Sequence, residues 1–289
     1  MTDLPPGPAE LQAIRRRLLP RGPVLDIHVH PLADLLPGRA ADAAEDARCL
    51  LEMARRSGVT HLCLSSLGPG YPPDADMALC RRANDYALRL HERAPANIFP
   101  FCYVLPADPD AAVAEIDRCV RDHRMAGIKL WISQRANRPA LDPILERAVA
   151  YDVPVLQHAW LKTGGNLPEE STPQDVAELA RRHPRAHIIM AHLNGANPRG
   201  LEAIVSQPNV LVDTSGGDPE AGMVELAVSR LGAGRVVFGS DAPGRHFGVS
   251  LAKVLGANLS VAQKHQILWQ NALSILPAWV GKQLVETEP

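Results

Sequence analysis

Apolar residues along the chain fall into two alternating patterns. One is a short, nearly continuous, β-branched run. Such runs occupy 24–30, 60–68, 98–106, 125–132, 153–160, 186–195, 209–216 and 235–243. Runs without polar alternation are what strands buried on both faces of a parallel sheet require. The other pattern is an apolar stripe at helical spacing. It predicts helices over 42–57, 74–93, 109–123, and about 139–151, 173–183, 198–206, 219–231 and 260–276. In the first of these, Ala43, Ala47, Leu50, Leu51 and Ala54 share one face, and Gly58 sits where a left-handed cap belongs. Asp108, Thr172 and Asp218 each precede a proline and read as N-caps followed by proline in the first turn.

Eight strands alternating with eight helices predict a single (β/α)₈ TIM barrel. A doubly wound open sheet has fewer strands and a glycine-rich turn after the first. Here the first strand ends in His28-Val29-His30-Pro31 instead. The length of 289 residues suits one barrel, which typically needs about 250. Residues 1–23 read as an N-terminal appendage and 24–289 as the barrel domain, whose tail after 277 either closes the bottom or packs outside.

Composition narrows the partners. With 46% hydrophobic residues the chain can build a large core, which excludes a disordered or fibrous protein. Thirty basic against 32 acidic side chains leave no field of one sign, so no nucleic-acid partner is expected. No run reaches the length of a membrane span. The N-terminus lacks the apolar segment of a signal peptide. Five cysteines without a C-x-x-C read as reduced thiols of a cytoplasmic protein.

In a barrel of this kind, reactive groups sit at the C-terminal ends of the strands. The residues there are His28 and His30 (strand 1), Lys129 (strand 4), His158 (strand 5), His192 (strand 6), Asp213 (strand 7) and Asp241 (strand 8). Alternation in His28-Val29-His30 projects both imidazoles to one face. An isolated pair of this kind reads as surface histidines. In a core-like strand their burial is costly unless a metal resolves it, and neutral imidazoles suit zinc, iron or manganese. Asp241 follows an apolar strand and reads as a metal ligand that also handles a proton, or as a cap of the next element. Lys129, inside Gly127-Ile128-Lys129-Leu130-Trp131, must pair, lose its proton or be modified. It reads as an anion binder, a partner of Asp241, a carboxylated bridge between two metals, or a snorkelling structural lysine. Asp26 lies two residues before His28 and reads either as the acceptor of a ligand histidine's N–H or as a buried structural acid. Asp213 reads better as part of a polar network than as a residue lining the pocket. His61 and His187 begin strands and fall at the wrong end. His246 lies in a loop on the catalytic side.

These residues, in this order, resemble the amidohydrolase superfamily, and more narrowly its amidohydrolase-2 branch, which includes the aminocarboxymuconate-semialdehyde decarboxylase type. The match is Asp26-Ile27-His28-Val29-His30-Pro31, Gly127-Ile128-Lys129-Leu130, His158, Ala191-His192-Leu193 and Phe238-Gly239-Ser240-Asp241-Ala242-Pro243. The resemblance implies a distorted TIM barrel with one divalent metal, often zinc, held by His28, His30, His158 and Asp241. It places His192 beside the metal as an acid/base group, a polarising group or a further ligand. A second metal bridged by carboxylated Lys129 belongs mainly to other members of the superfamily. Two departures bear on the substrate pocket: His192-Leu193-Asn194-Gly195 stands where many members have His-x-Gly-Gly, and Trp131 stands where many have histidine.

The expected activity is therefore that of a metal-dependent hydrolase. A metal-activated water would attack a lactone, ester or amide, with Asp241 accepting the proton and His192 polarising the carbonyl. Lys129, Arg245 and Lys162 are candidates for holding a substrate carboxylate, with Trp131 and Trp160 as a flat wall. A non-oxidative decarboxylase on the same site is the alternative. A barrel that binds a metabolite or metal without turnover is the lesser one. A small molecule is the expected partner, and a homo-oligomer is compatible with the sequence.

Overall fold

A computed structural model describes residues 20, 22–36, 42–72, 74–217 and 220–286. The proposed appendage over 1–23 and the Asp218-Pro219 cap lie largely or wholly outside them. The strands are β1 Leu25–Val29, β2 His61–Leu64, β3 Ile98–Tyr103, β4 Gly127–Leu130, β5 Val155–Gln157, β6 Ile188–Met190, β7 Val210–Asp213 and β8 Val236–Val237. All neighbours pair in parallel, in sequence order. Beyond β8 the chain returns to β1: Ile27 N–H donates to Phe238 O (2.9 Å), Asp241 N–H to His28 O (2.8 Å) and His30 N–H to Ala242 O (2.7 Å). The architecture is a (β/α)₈ TIM barrel.

Each strand has two apolar faces because each has two cores to fill. Leu62, Leu64, Ile128, Leu130, Val155, Ile188, Val210 and Val212 face the helices. Leu25, Ile27, Cys63, Phe99, Phe101, Leu156, Ile189, Leu211 and Val237 fill the barrel. The tail joins this inner core through Val280 and Leu284, so it closes the N-terminal end of the barrel. His61 sits at that same end, against Trp269 (ring centroids 5.4 Å apart). Space inside is tight: a Cβ on Gly127 would stand 2.7 Å from the Phe101 ring. Gly127→Ala is therefore expected to lower stability by about 1–3 kcal/mol, the usual range for overpacking, measured as a fall in the urea midpoint.

The helices follow their sequence signals. They are α1 Ala43–Ser57, α2 Met77–Arg93, α3 Pro109–Ile116, α4 Asp142–Tyr151, α5 Pro173–Arg182, α6 Leu193–Ala203, α7 Met223–Leu231 and α8 Phe247–Leu255. Asp42 caps α1 by accepting from Ala44 N–H (2.9 Å), and Gly58 ends it at φ 90°. Thr172 and Asp175 cap α5 reciprocally. Three readings change. The segment predicted to start at 198 starts at Leu193 and kinks at Asn197 (φ 53°), so Pro198 marks a second beginning rather than the first. The segment 260–276 divides into Val261–His265, a wider turn at Gln266–Gln270, and Asn271–Ile275. Helix α8 was not foreseen. Its buried face of Phe247, Ser250, Leu251 and Val254 is partly polar, while Val249 is exposed, which blurs the stripe. Among the described residues no helix is long and apolar enough to cross a membrane.

Candidate metal centre and active site

The site is built where β1 stops being regular. Between Asp26 and Val29 the pairing with β2 gains one residue, a bulge that re-aims the following side chains. The expected link between Asp26 and a ligand imidazole is replaced as a result. The Asp26 carboxylate accepts from the backbone N–H groups of His28 (3.1 Å) and Ser240 (3.0 Å). The carboxylate that meets the His28 ring is Asp213, from β7, at 2.8 Å.

His158, His192 and Asp241 lie just past the ends of β5, β6 and β8. His192 (φ 75°) and Asp241 (φ 62°) both take left-handed backbone, uncommon for residues other than glycine and often found where function sets the geometry. His28, His30 and Asp241 each offer a ligand atom, and the three atoms lie within 4.8 Å of one another. Their separations are 3.2 Å between the two Nε2 atoms, and 3.6 and 3.5 Å from these to Asp241 Oδ1. His28, His192 and Asp213 form a second close trio. That trio is a hydrogen-bonded hub rather than an open ligand set, because Asp213 already accepts from His28 Nδ1, from the N–H groups of His192 and Ser215, and from the Ser215 hydroxyl. His158 is not part of the first trio. Its Nδ1 faces His192 Nε2 at 3.1 Å, and its Nε2 faces Glu170 at 2.9 Å.

Partners identify which ring nitrogens carry protons. Ser65 O can only accept, so His30 donates from Nδ1 (2.7 Å) and turns its Nε2 toward His28 Nε2 and Asp241. Asp213 stays ionised: burial raises its carboxyl, and His28, His192 and Ser215 outweigh that. His28 therefore donates from Nδ1, and its Nε2 is bare. The Ser215 hydroxyl is spent on Asp213, so Ser215 Oγ accepts from His192 Nδ1 (2.9 Å) and leaves His192 Nε2 bare. Glu170 does the same for His158 Nε2 and leaves Nδ1 bare. His28 Nε2, His192 Nε2 and His158 Nδ1 thus present lone pairs inside the site. Burial lowers His28 to about 4, helped by the Lys129 charge, and it also lowers His158 and His192, so these rings are neutral at pH 7. Lys129 Nζ answers the His28 Nε2 lone pair (2.8 Å), whereas His192 Nε2 and His158 Nδ1, 3.1 Å apart, are bare nitrogens that repel unless a cation joins them. Two imidazoles on one ion at ~2.0–2.1 Å stand roughly 3.0–3.4 Å apart, so the donor set fits a divalent metal.

The amidohydrolase sequence profile matches residues 25–278 of this barrel. The chain belongs to the amidohydrolase family. Among curated relatives it is similar to gamma-resorcylate decarboxylase of Polaromonas sp. JS666, at 22% identity over 276 residues, with 75% of this chain and 83% of that one covered. Among solved structures it is similar to a manganese-bound dihydroxybenzoic acid decarboxylase from the same strain, holding 2-nitroresorcinol (TM-score 0.69, 19% identity, 88% of this chain and 96% of that one). It is also similar to 4-oxalomesaconate hydratase of Rhodopseudomonas palustris (TM-score 0.67, 16% identity, 91% and 99%). At these identities the structural likeness concerns the fold.

The remaining site residues of this amidohydrolase divide clearly. Lys129 is buried with Nζ 2.8 Å from His28 Nε2, and burial pulls it down to about 8. Trp131 lies beside Tyr71 (5.8 Å), whose ring in turn meets His30 (5.6 Å). Trp160 stacks on His158 (6.2 Å) and leans on His192 (5.0 Å). Its indole rests on Gly195, where a Cβ would stand 2.7 Å away, so the second glycine of the strand-6 motif is kept for space. Asn194, the departure beside it, accepts from Lys253 Nζ (3.0 Å). Arg245 is exposed in the loop after β8. Lys162 is tied to Glu170 by two contacts of 2.8 and 2.9 Å, which takes it out of the set available to a substrate carboxylate. His246 caps α8 by accepting from Gly248 N–H (3.0 Å). Tyr71 and Glu170 lie in loops outside any periodic segment and Ser215 is a small polar residue at the tail of the 209–216 run, so the sequence pattern marks none of the three. Asp213 stands in the polar network expected for it, accepting from His28, His192 and Ser215.

Proposed function

We propose that this chain is a metal-dependent non-oxidative decarboxylase of a small, flat, conjugated carboxylate such as a hydroxybenzoate. The hydrolase first expected from the motifs gives way to this alternative, because decarboxylases predominate among the relatives described above. The observation that carries the reading is aromatic rings at both ends of the imidazole cluster, Tyr71 beside His30 and Trp160 beside His158 and His192. A planar acid gains stacking area there.

In this proposal His28, His30 and Asp241 hold the metal, with His158 as a fourth donor. When bound, a divalent cation supplies positive charge that orients the substrate's oxygens and stabilises developing negative charge. Manganese, seen in the Polaromonas decarboxylase, suits the mixed nitrogen and oxygen donors as well as the expected zinc does. Lys129 presents a second positive charge to the substrate carboxylate. The reaction breaks the bond between the ring carbon and its carboxylate. The electron pair stays on the ring carbon, carbon dioxide leaves, and one proton takes its place. Burial raises the Asp241 carboxyl and, first among the opposing groups, the hydrogen bond from His30 lowers it, so Asp241 is ionised before substrate binds. In the substrate complex it takes up one proton from solvent water and delivers it to the ring carbon in place of the departing carbon dioxide, while His192 Nε2 accepts a hydrogen bond from the substrate.

The test is carbon dioxide release by manganese-loaded and zinc-loaded protein from 2,6-dihydroxybenzoate and a panel of aromatic and enoic acids. Esters and lactones are run in parallel. Metal-dependent release from a hydroxybenzoate is expected. Turnover confined to esters or lactones would restore the hydrolase, and turnover of neither would favour a binding barrel.

A further inference from the structure

The excursion between β5 and α5 brings Glu170 back onto the site. Glu170 is only 1% exposed, where an unanswered carboxylate would be expensive. It is answered by Lys162 Nζ, by Leu167 N–H (2.8 Å) and by His158 Nε2 (2.9 Å). Lys162 already neutralises its charge. The contact with His158 has a separate consequence, because it selects one tautomer and one orientation of the ring. Trp160, stacked on that ring, confines its plane but does not choose which nitrogen faces inward.

We propose that Glu170 is a positioning residue that makes His158 a donor through Nδ1, in contrast to His28 and His30, which present Nε2. The proposal rests on the metal-binding reading above. An imidazole whose outer N–H donates to a carboxylate has a fixed tautomer and a more basic inner nitrogen. Without Glu170 the ring can flip and offer a C–H or an N–H to the cation instead of a lone pair.

The test uses the full chain stripped with a chelator and has two readouts. One is the nitrogen-15 shift pattern of His158, which reports the tautomer without metal. The other is calorimetric titration with manganese alone and zinc alone. In the wild type His158 is expected in the Nε2–H form. Glu170→Gln is expected to give mixed tautomers and metal affinity lower by about 10–100-fold, as for other partners of ligand histidines. Lys162→Met removes the other partner of Glu170 and is expected to leave both readouts at the wild-type value. Glu170→Gln with an unmixed tautomer and unchanged affinity would overturn the proposal. So would an equal loss of affinity in Lys162→Met with the tautomer intact, since Glu170 would then act only by anchoring the loop. A wild type that binds neither ion would sink the metal reading itself, and the tautomer measurement would still judge Glu170.

Discussion

Asp241→Asn is expected to fold like the wild type and to lose carbon dioxide release by about 10²–10⁴-fold, the span associated with a general acid. Two features make the loss selective. Position 241 has left-handed backbone at φ 62°, and asparagine is among the few residues that tolerate it. The amide also keeps the size of the carboxylate, so the return of the chain from β8 to β1 through Asp241 N–H and His28 O is preserved. What changes is chemical: an amide neither takes up a proton for the carbon nor supplies a charged oxygen beside His28 and His30. Turnover within tenfold of wild type, measured at saturating substrate and metal, would remove Asp241 from the reaction.

His28→Ala is expected to lower bound metal from stoichiometric to a small fraction, read by elemental analysis after gel filtration. His28 Nε2 is the nitrogen closest to His30 Nε2 among the paired donors of the first trio, and the same ring is tied through Nδ1 to Asp213. Removing it takes away one donor and leaves the buried Asp213 carboxylate without its imidazole. That second loss also destabilises the barrel, since one of the four hydrogen bonds to a buried carboxylate is removed. Metal content is therefore compared on protein whose circular dichroism matches the wild type. An unchanged metal-to-protein ratio would dispose of the ligand role.

The sequence alone determined the architecture and the height at which the chemistry sits. Eight apolar runs with two buried faces can only stack in a parallel sheet covered on both sides, and the reactive residues punctuate their C-terminal ends. His28, His30, His158, His192 and Asp241 were legible on those grounds, because strand position is a local property. What tertiary structure decided is which groups answer one another. One extra residue in β1 moved the carboxylate beside His28 from Asp26, two positions away, to Asp213, 185 positions away. Glu170, from a loop that carries no period, and Ser215, two residues past the end of β7, set the proton-bearing nitrogens of His158 and His192. Hydrophobic periodicity specifies faces of strands and helices. It is silent on a register shift and on where a loop returns, and hydrogen-bond partners depend on both to within a fraction of an ångström.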